Sequence, residues 1–304
     1  MPSEKVAYVD AMRSRPIAIR MIAAERKYRS RCSIRMTATA ERDYVLGTHD
    51  DEIERLGLQH RVWRPRALDA WRRAGFTVGQ TLLDLGCGPG YASADMAEIV
   101  GPSGRVVAID RSRRFLDVAE SRGFPQIETR EIDLDEGELP TIDADGAWAR
   151  WIFAFVKRPR DLAARVRRSL KPGGILVLHE YIDYGAWQVS PRSAAHAEFV
   201  QIVMKSWRES GGEPDVGLDL PRWLTESGFE IRSLLPIVDV IRPTDFTWQW
   251  PRTFLEIGVQ RLQDLGQVTE PQAAAIRQSF ADVEASPYAL MVTPIVLEII
   301  AIRR

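Results

Sequence analysis

Nine residues, Leu82-Leu83-Asp84-Leu85-Gly86-Cys87-Gly88-Pro89-Gly90, constrain the fold more tightly than any other part of the chain. Thr81 to Leu85 is an apolar run between Gly79 and a cluster of glycines, the pattern of a short buried strand. The glycines at 86, 88 and 90 allow backbone conformations closed to other residues and leave room for a ligand against the main chain. Tyr91 to Val100 has a helical pattern and stops at Gly101-Pro102. Strand, glycine turn and helix in this order open a nucleotide-binding α/β domain, whose ligand lies at the carboxyl end of the strand.

The glycine spacing separates two ligand classes. A dinucleotide fingerprint, G-x-G-x-x-G, needs its third glycine at position 91, where this chain has Tyr91. The pattern present is Asp84-x-Gly86-x-Gly88-x-Gly90. It resembles the first motif of class I S-adenosylmethionine-dependent methyltransferases, D/E-x-G-x-G-x-G. The phrase Leu170-Lys171-Pro172-Gly173-Gly174 likewise resembles the tight turn before that family's fifth strand. The resemblance is good from Tyr44 to Tyr181 and looser beyond. It implies S-adenosyl-L-methionine as cofactor. It also implies an α/β fold with a Rossmann-like, seven-stranded, mostly parallel sheet, helices on both faces, an N-terminal helical cap and a helical lid insertion. Within the class, the cap and lid resemble the small-molecule branch of ubiquinone, menaquinone and natural-product biosynthesis. After the fourth strand the chain reads Arg150-Trp151-Ile152-Phe153, unlike the Asn-Pro-Pro-Tyr-type signature of amino- or base-directed N-methyltransferases.

Further segments fill the same plan. Arg105 to Asp110 is a second strand ending in a carboxylate, whose two oxygens can accept from both ribose hydroxyls. Asp110 could equally cap the helix expected from Ser112 to Ser121. Strands are expected at Gln126–Asp133, Asp145–Trp151 and Ile175–Tyr181, with a helix from Asp161 to Leu170. The resemblance carries cofactor-binding roles onto the turn residues Asp84, Gly86, Cys87, Gly88 and Gly90, and onto Asp110 and its neighbour Arg111. It places Ile132, Asp133 and Leu134 about the adenine, although the acidic run 133–138 also reads as a solvated loop. Ala149, through its carbonyl, and Arg150, through its side chain, would meet the methionine end. Upstream, Asp50 is a fair helix cap, and Ile53, Leu56 and Gln59/His60 share one helical face. By resemblance Tyr44 and Gln59 reach the methionine end; the alternative is a surface helix packed on the sheet. Pro65 is expected to start a second helix that ends at Gly75.

The 304 residues suffice for one large α/β domain with additions. A formal net charge of −1 argues against nucleic acid or an anionic membrane as main partner. No apolar run approaches the roughly 18 residues needed to span a bilayer. The two cysteines, Cys32 and Cys87, build no disulfide framework and no metal-ligand spacing, so no metal is expected and a cytoplasmic location is simplest. Residues 1–35 hold nine Lys or Arg against three acids, a net +6 that leaves −7 for the rest. They lack a clear apolar signal core, and Met36 offers an alternative start, so they read as a poorly ordered or mis-assigned extension.

The expected division is thus an Arg-rich extension at 1–35, a helical cap at 36–75, and a methyltransferase domain at 76–304. Lid helices are expected near 190–212 and 244–284. In-line attack on a sulfonium methyl asks little of the protein beyond alignment. A phenol or enol acceptor would also need a base, for which His179 is the candidate; it reads equally as a core residue. Nine tryptophans suit an apolar or aromatic small-molecule acceptor, methylated on oxygen or carbon. The rivals are a nicotinamide oxidoreductase, disfavoured by Tyr91, and an S-adenosylmethionine binder that is a cyclase or regulatory subunit. A homodimer is left open.

Overall fold

The computed structural model describes residues 50–304. The Arg-rich extension, the first part of the expected cap segment (36–49) and with it Tyr44 lie outside the described residues. The first element is a 25-residue helix, α1 (Asp50–Ala74). It is followed by β1 (Thr81–Leu85), α2 (Tyr91–Val100), β2 (Arg105–Asp110), α3 (Arg113–Ser121), β3 (Ile127–Glu131), β4 (Ala144–Arg150), α4 (Pro159–Ser169) and β5 (Leu170–Asp183). The C-terminal part adds β6 (Gln188–Ser190), α5 (Ala194–Glu209), α6 (Leu220–Glu226), β7 (Phe229–Ile237) and β8 (Val240–Ile241). It continues with α7 (Gln249–Asp264), α8 (Glu270–Ala285), β9 (Leu290–Val292) and β10 (Ile295–Arg303).

Seven strands form one sheet in the order β3-β2-β1-β4-β5-β10-β7, with β10 antiparallel to both its neighbours. Strands β1 to β5 are parallel, and the order reverses direction between β1 and β4, where such sheets open a crevice at their carboxyl ends. Alternation of side chains assigns the two faces. Leu83, Leu85, Ala147, Ala149, Leu176 and Leu178 join one core, into which α4 and α6 place Leu162, Val166, Leu220 and Leu224. Leu82, Trp148 and Val177 face the other way, onto Trp71, Ala67 and Ala70 of α1 and Met96 of α2.

Sequence reading divided α1 in two at Pro65, and the structure corrects this to one helix. A proline inside a helix costs about 3 kcal/mol, part of it as an orphaned carbonyl four residues earlier. Here that residue is Arg61, exposed like Pro65, so water can reach its carbonyl. On the opposite side Trp63 and Trp71 are almost fully buried. At about 25 cal/mol per Å² over some 150–250 Å² each, two tryptophans outweigh the proline.

Strand β5 is also longer than expected. Its pairing with β4 starts at Leu170 opposite Ala144 and resumes at Ile175 opposite Gly146. Lys171 to Gly174 is therefore looped out of the ladder, with Gly173 at φ 78°, rather than preceding the strand. The helix expected near 190–212 starts later, as α5, whose cap Ser193 accepts from the His196 amide, while Ser190 ends the short strand β6. Strand β6 joins β9 and β8 in a three-stranded sheet that the sequence did not suggest. Helices α5, α7 and α8 and this sheet enclose an aromatic core that includes Tyr184, Trp187, Trp207, Trp248, Trp250 and Phe254.

Candidate active site

At the reversal point the turn after β1 meets α1, β2 and β4. Asp84, at 2% exposure, accepts from Ser93 Oγ at 2.6 Å, a hydroxyl brought by the first turn of α2. Gly86, Gly88 and Gly90 all have positive φ, between 52° and 74°. Their roles differ. A Cβ on Gly86 would lie 1.9 Å from Ile152 Cδ1, and one on Gly90 2.6 Å from Ala119 Cβ, so these two glycines serve close packing. A Cβ on Gly88 would meet only Leu56 Cδ1, at 3.9 Å. Its freedom serves open space instead.

Asp110 ties the turn to β2. Its Oδ2 accepts from the Gly88 amide and its Oδ1 from the Ser112 amide, both at 2.9 Å. The cap of α3 is Ser112 and not Asp110. Burial raises the Asp110 pKa, and the two amide donors pull it back. Burial likewise pushes Asp84 up to about 7, with Ser93 and the Arg150 charge opposing. The Arg150 guanidinium is buried, its pKa lowered to about 10, and its Nη1 has no hydrogen-bond partner.

Two adjoining cavities follow the strand ends. One, of about 100 Å³, is lined by Gln59, Asp84, Gly86, Cys87, Gly88, Asp110 and Arg150 among others. The second, of about 330 Å³, shares Gly86, Asp110 and Ile152 with it and runs on past Arg111, Ile132, Asp133 and Leu134. The structure thus brings eleven of the expected cofactor residues to one crevice. Gly90 stands behind it, against α3, and Ala149 is fully buried in the opposite core. Asp133 lies just past the end of β3, its Oδ1 accepting from the Asp135 amide at 2.9 Å.

His179 is not brought to the crevice. It is 0% exposed and lines neither cavity; Trp148 and Trp63 set their ring edges against it at 4.9 and 5.8 Å. Its Nε2 lies 3.1 Å from Glu298 Oε2, and Glu298 is also paired with Arg73. Burial lowers the His179 pKa, with Glu298 opposing. The register explains the placement: His179 pairs with Glu298 across β5 and β10, beneath α1.

Other residues of the site escaped the sequence reading. His60 lines the smaller cavity, with Nε2 2.9 Å from Asp95 Oδ2 and its ring stacked on Tyr91 at 5.9 Å. Tyr91, the residue that excludes a dinucleotide glycine, reaches back to α1, its hydroxyl donating to the Ile53 carbonyl at 3.2 Å. Tyr91→Phe should therefore cost about 1 kcal/mol of stability in denaturant unfolding while keeping the stack. Arg55, itself buried, holds Glu52 and donates to Gln59 Oε1 at 2.8 Å, which fixes that amide at the cavity wall. The Glu52, Arg55, Gln59 spacing is the signal that was available.

Past β4 the chain turns at Trp151, a non-glycine residue at φ 53°, which is uncommon and concentrated at functional sites. Trp151 lies between Tyr181 and Trp250, nearly parallel to both at 5.2 and 5.4 Å. The loop after it is held by Glu180, whose carboxylate accepts from the amides of Ile152, Phe153 and Ala154 at 2.7 to 3.3 Å. Burial pushes this carboxyl up to about 8 against those donors. Of the tryptophans, Trp148, Trp151 and Trp207 border the crevice, and all three are also core residues.

Residues 83–178 match the family model described as a methyltransferase domain. Over 172 residues the chain is 33% identical to an uncharacterized 37.1 kDa protein in transposon TN4556 of Streptomyces fradiae, covering 54% of this chain and 47% of that one. Over 124 residues it is 32% identical to a demethylmenaquinone methyltransferase of Staphylococcus aureus, covering 40% and 50% of the two chains. The chain thus spans about half the length of the curated relatives it matches. Among solved structures, a Bacillus halodurans protein provisionally described as a methyltransferase superposes with a TM-score of 0.51 at 17% identity. The match covers 78% of this chain and 98% of that one, a likeness of fold. Among the described residues no helix is long and apolar enough to cross a membrane, and no group of side chains could hold a metal ion.

Proposed function

The chain carries a class I S-adenosylmethionine-dependent methyltransferase domain, and on that premise we propose that it methylates an apolar or aromatic small molecule on oxygen or carbon. The observation that carries the reading is that the Arg150 guanidinium, whose Nη1 has no hydrogen-bond partner, and the buried Asp84 carboxylate line one crevice whose glycine bed is open only at Gly88. A guanidinium and a carboxylate together suit the zwitterionic amino-acid end of S-adenosylmethionine. When bound, this cofactor supplies an electrophilic methyl on a sulfonium with a neutral leaving group. Asp110 would accept from the ribose, and Ile132, Asp133 and Leu134 would border the adenine. Gln59, held by Arg55, would complete the methionine end.

The remaining work of the protein is alignment and exclusion of water. Trp151, fixed between Tyr181 and Trp250, and the Glu180-held loop would form an apolar wall for the acceptor. His179 serves in this account as a support for Trp63 and Trp148 and not as a base. Incubation with S-adenosylmethionine and a panel of phenols, quinols and terpenoids should form S-adenosylhomocysteine. Turnover only with protein or RNA would remove the small-molecule reading, and binding without turnover on any acceptor would favour a cyclase or regulatory subunit.

Asp84 adds a pH dependence. Its pKa of about 7 lies above the ordinary carboxylate range, so its burial lowers the stability of the ligand-free fold progressively as pH rises from that range to about 7, and no further above it. A ligand ammonium beside it favours the ionised form. Binding of S-adenosylhomocysteine near pH 6 should therefore release protons, measured by calorimetry in buffers of different ionisation enthalpy. Buffer-independent enthalpies there would contradict the role given to Asp84.

A further inference from the structure

The C-terminal layer contains another cavity, of about 270 Å³, that shares no lining residue with the crevice. Trp187, Val189, His196 and Val200 are its buried walls, and Arg192 and Gln201 are its exposed edge. Two side chains on these walls carry buried polar atoms that lack partners: Trp187 Nε1 has none, and the Trp187 backbone serves at most one of the two His196 ring nitrogens. His196 is 2% exposed, with its ring set edge-on to Trp187 at 4.9 Å. An unpaired buried polar group costs about 1–3 kcal/mol and is rare. Two such side chains lining one cavity are accounted for together if a ligand completes them.

The chemistry of the walls selects the ligand. Burial pushes His196 down to about 4 against the pull of the Trp187 backbone, so at neutral pH the ring offers one donor and one acceptor. Rotation about its broad χ2 torsion brings either nitrogen toward the cavity. The Trp187 indole adds a donor. Arg192 makes no ion pair with the described residues and supplies a fixed positive charge at the entrance. The first turn of α5, capped by Ser193, adds the positive end of a 16-residue helix. Valines and an indole face suit a flat apolar ring, and the volume lies near the lower limit of about 300 Å³ for ligand cavities. We propose that this cavity is a binding site, separate from the methyl-transfer crevice, for a small aromatic carboxylate held by Arg192, His196 and Trp187.

The test is titration of the full chain with benzoate, followed by calorimetry and by the ¹⁵N-labelled tryptophan indole resonances. Benzoate should bind and shift one indole resonance, identified as Trp187 by its loss in Trp187→Phe. Benzyl alcohol, which keeps the ring and drops the charge, should bind more weakly. Arg192→Gln, at an exposed position that leaves thermal unfolding unchanged, should weaken benzoate by about tenfold. Absence of benzoate binding at millimolar concentration would overturn the proposal. So would undiminished binding by Arg192→Gln, or displacement of benzoate by S-adenosylhomocysteine.

Discussion

Gly88→Val should leave a folded protein that binds no measurable S-adenosylhomocysteine. Of the three turn glycines, only this one separates binding from folding. Valine at φ 52° is strained by about 1–3 kcal/mol, which denaturant unfolding should register as a modest loss. The new Cβ meets only Leu56 Cδ1, at 3.9 Å, and Gly88 lines the cavity, so the side chain extends into the crevice. A clash with the protein itself belongs to Gly86 and Gly90, where Ile152 and Ala119 stand in the way. If Gly88→Val binds as the parent does, the glycine turn is not the cofactor bed.

Asp110→Ala should weaken the same ligand by about 2–4 kcal/mol, roughly thirtyfold to a thousandfold. The carboxylate does more than face a ribose. Its oxygens hold the amides of Gly88 and Ser112, so the substitution leaves two donors unpaired and loosens the turn that the ligand lies on. Calorimetric titration measures the loss. Parental affinity in Asp110→Ala would remove this residue from the site.

What could be read in the sequence divides along physical lines. β1, α2 and β2 were readable to the residue, because Thr81–Leu85, Tyr91–Val100 and Arg105–Asp110 each carry one unbroken local pattern ended by glycine or a carboxylate. The crevice residues were readable because glycine spacing and strand-terminal acids are local signals. Pro65 misled because the force that overrides it, burial of Trp63 and Trp71, comes from strands further along the chain. β6, β8 and β9 are two or three residues long and carry no period. His60 and His179 could not be sorted by type. One meets Asp95 on α2 and the other meets Glu298 on β10, partners 35 and 119 residues away. Glu180, next to His179 in the chain, is turned by the alternation along β5 to the opposite face, onto the loop after Trp151.

The most direct test of the central claim is calorimetric titration of the full chain with S-adenosylmethionine, S-adenosylhomocysteine and NADH in parallel. The account predicts binding of both adenosyl ligands and none of NADH, because Tyr91 stands where a dinucleotide site requires glycine and ties α1 over the turn. Binding of NADH without either adenosyl ligand would contradict it.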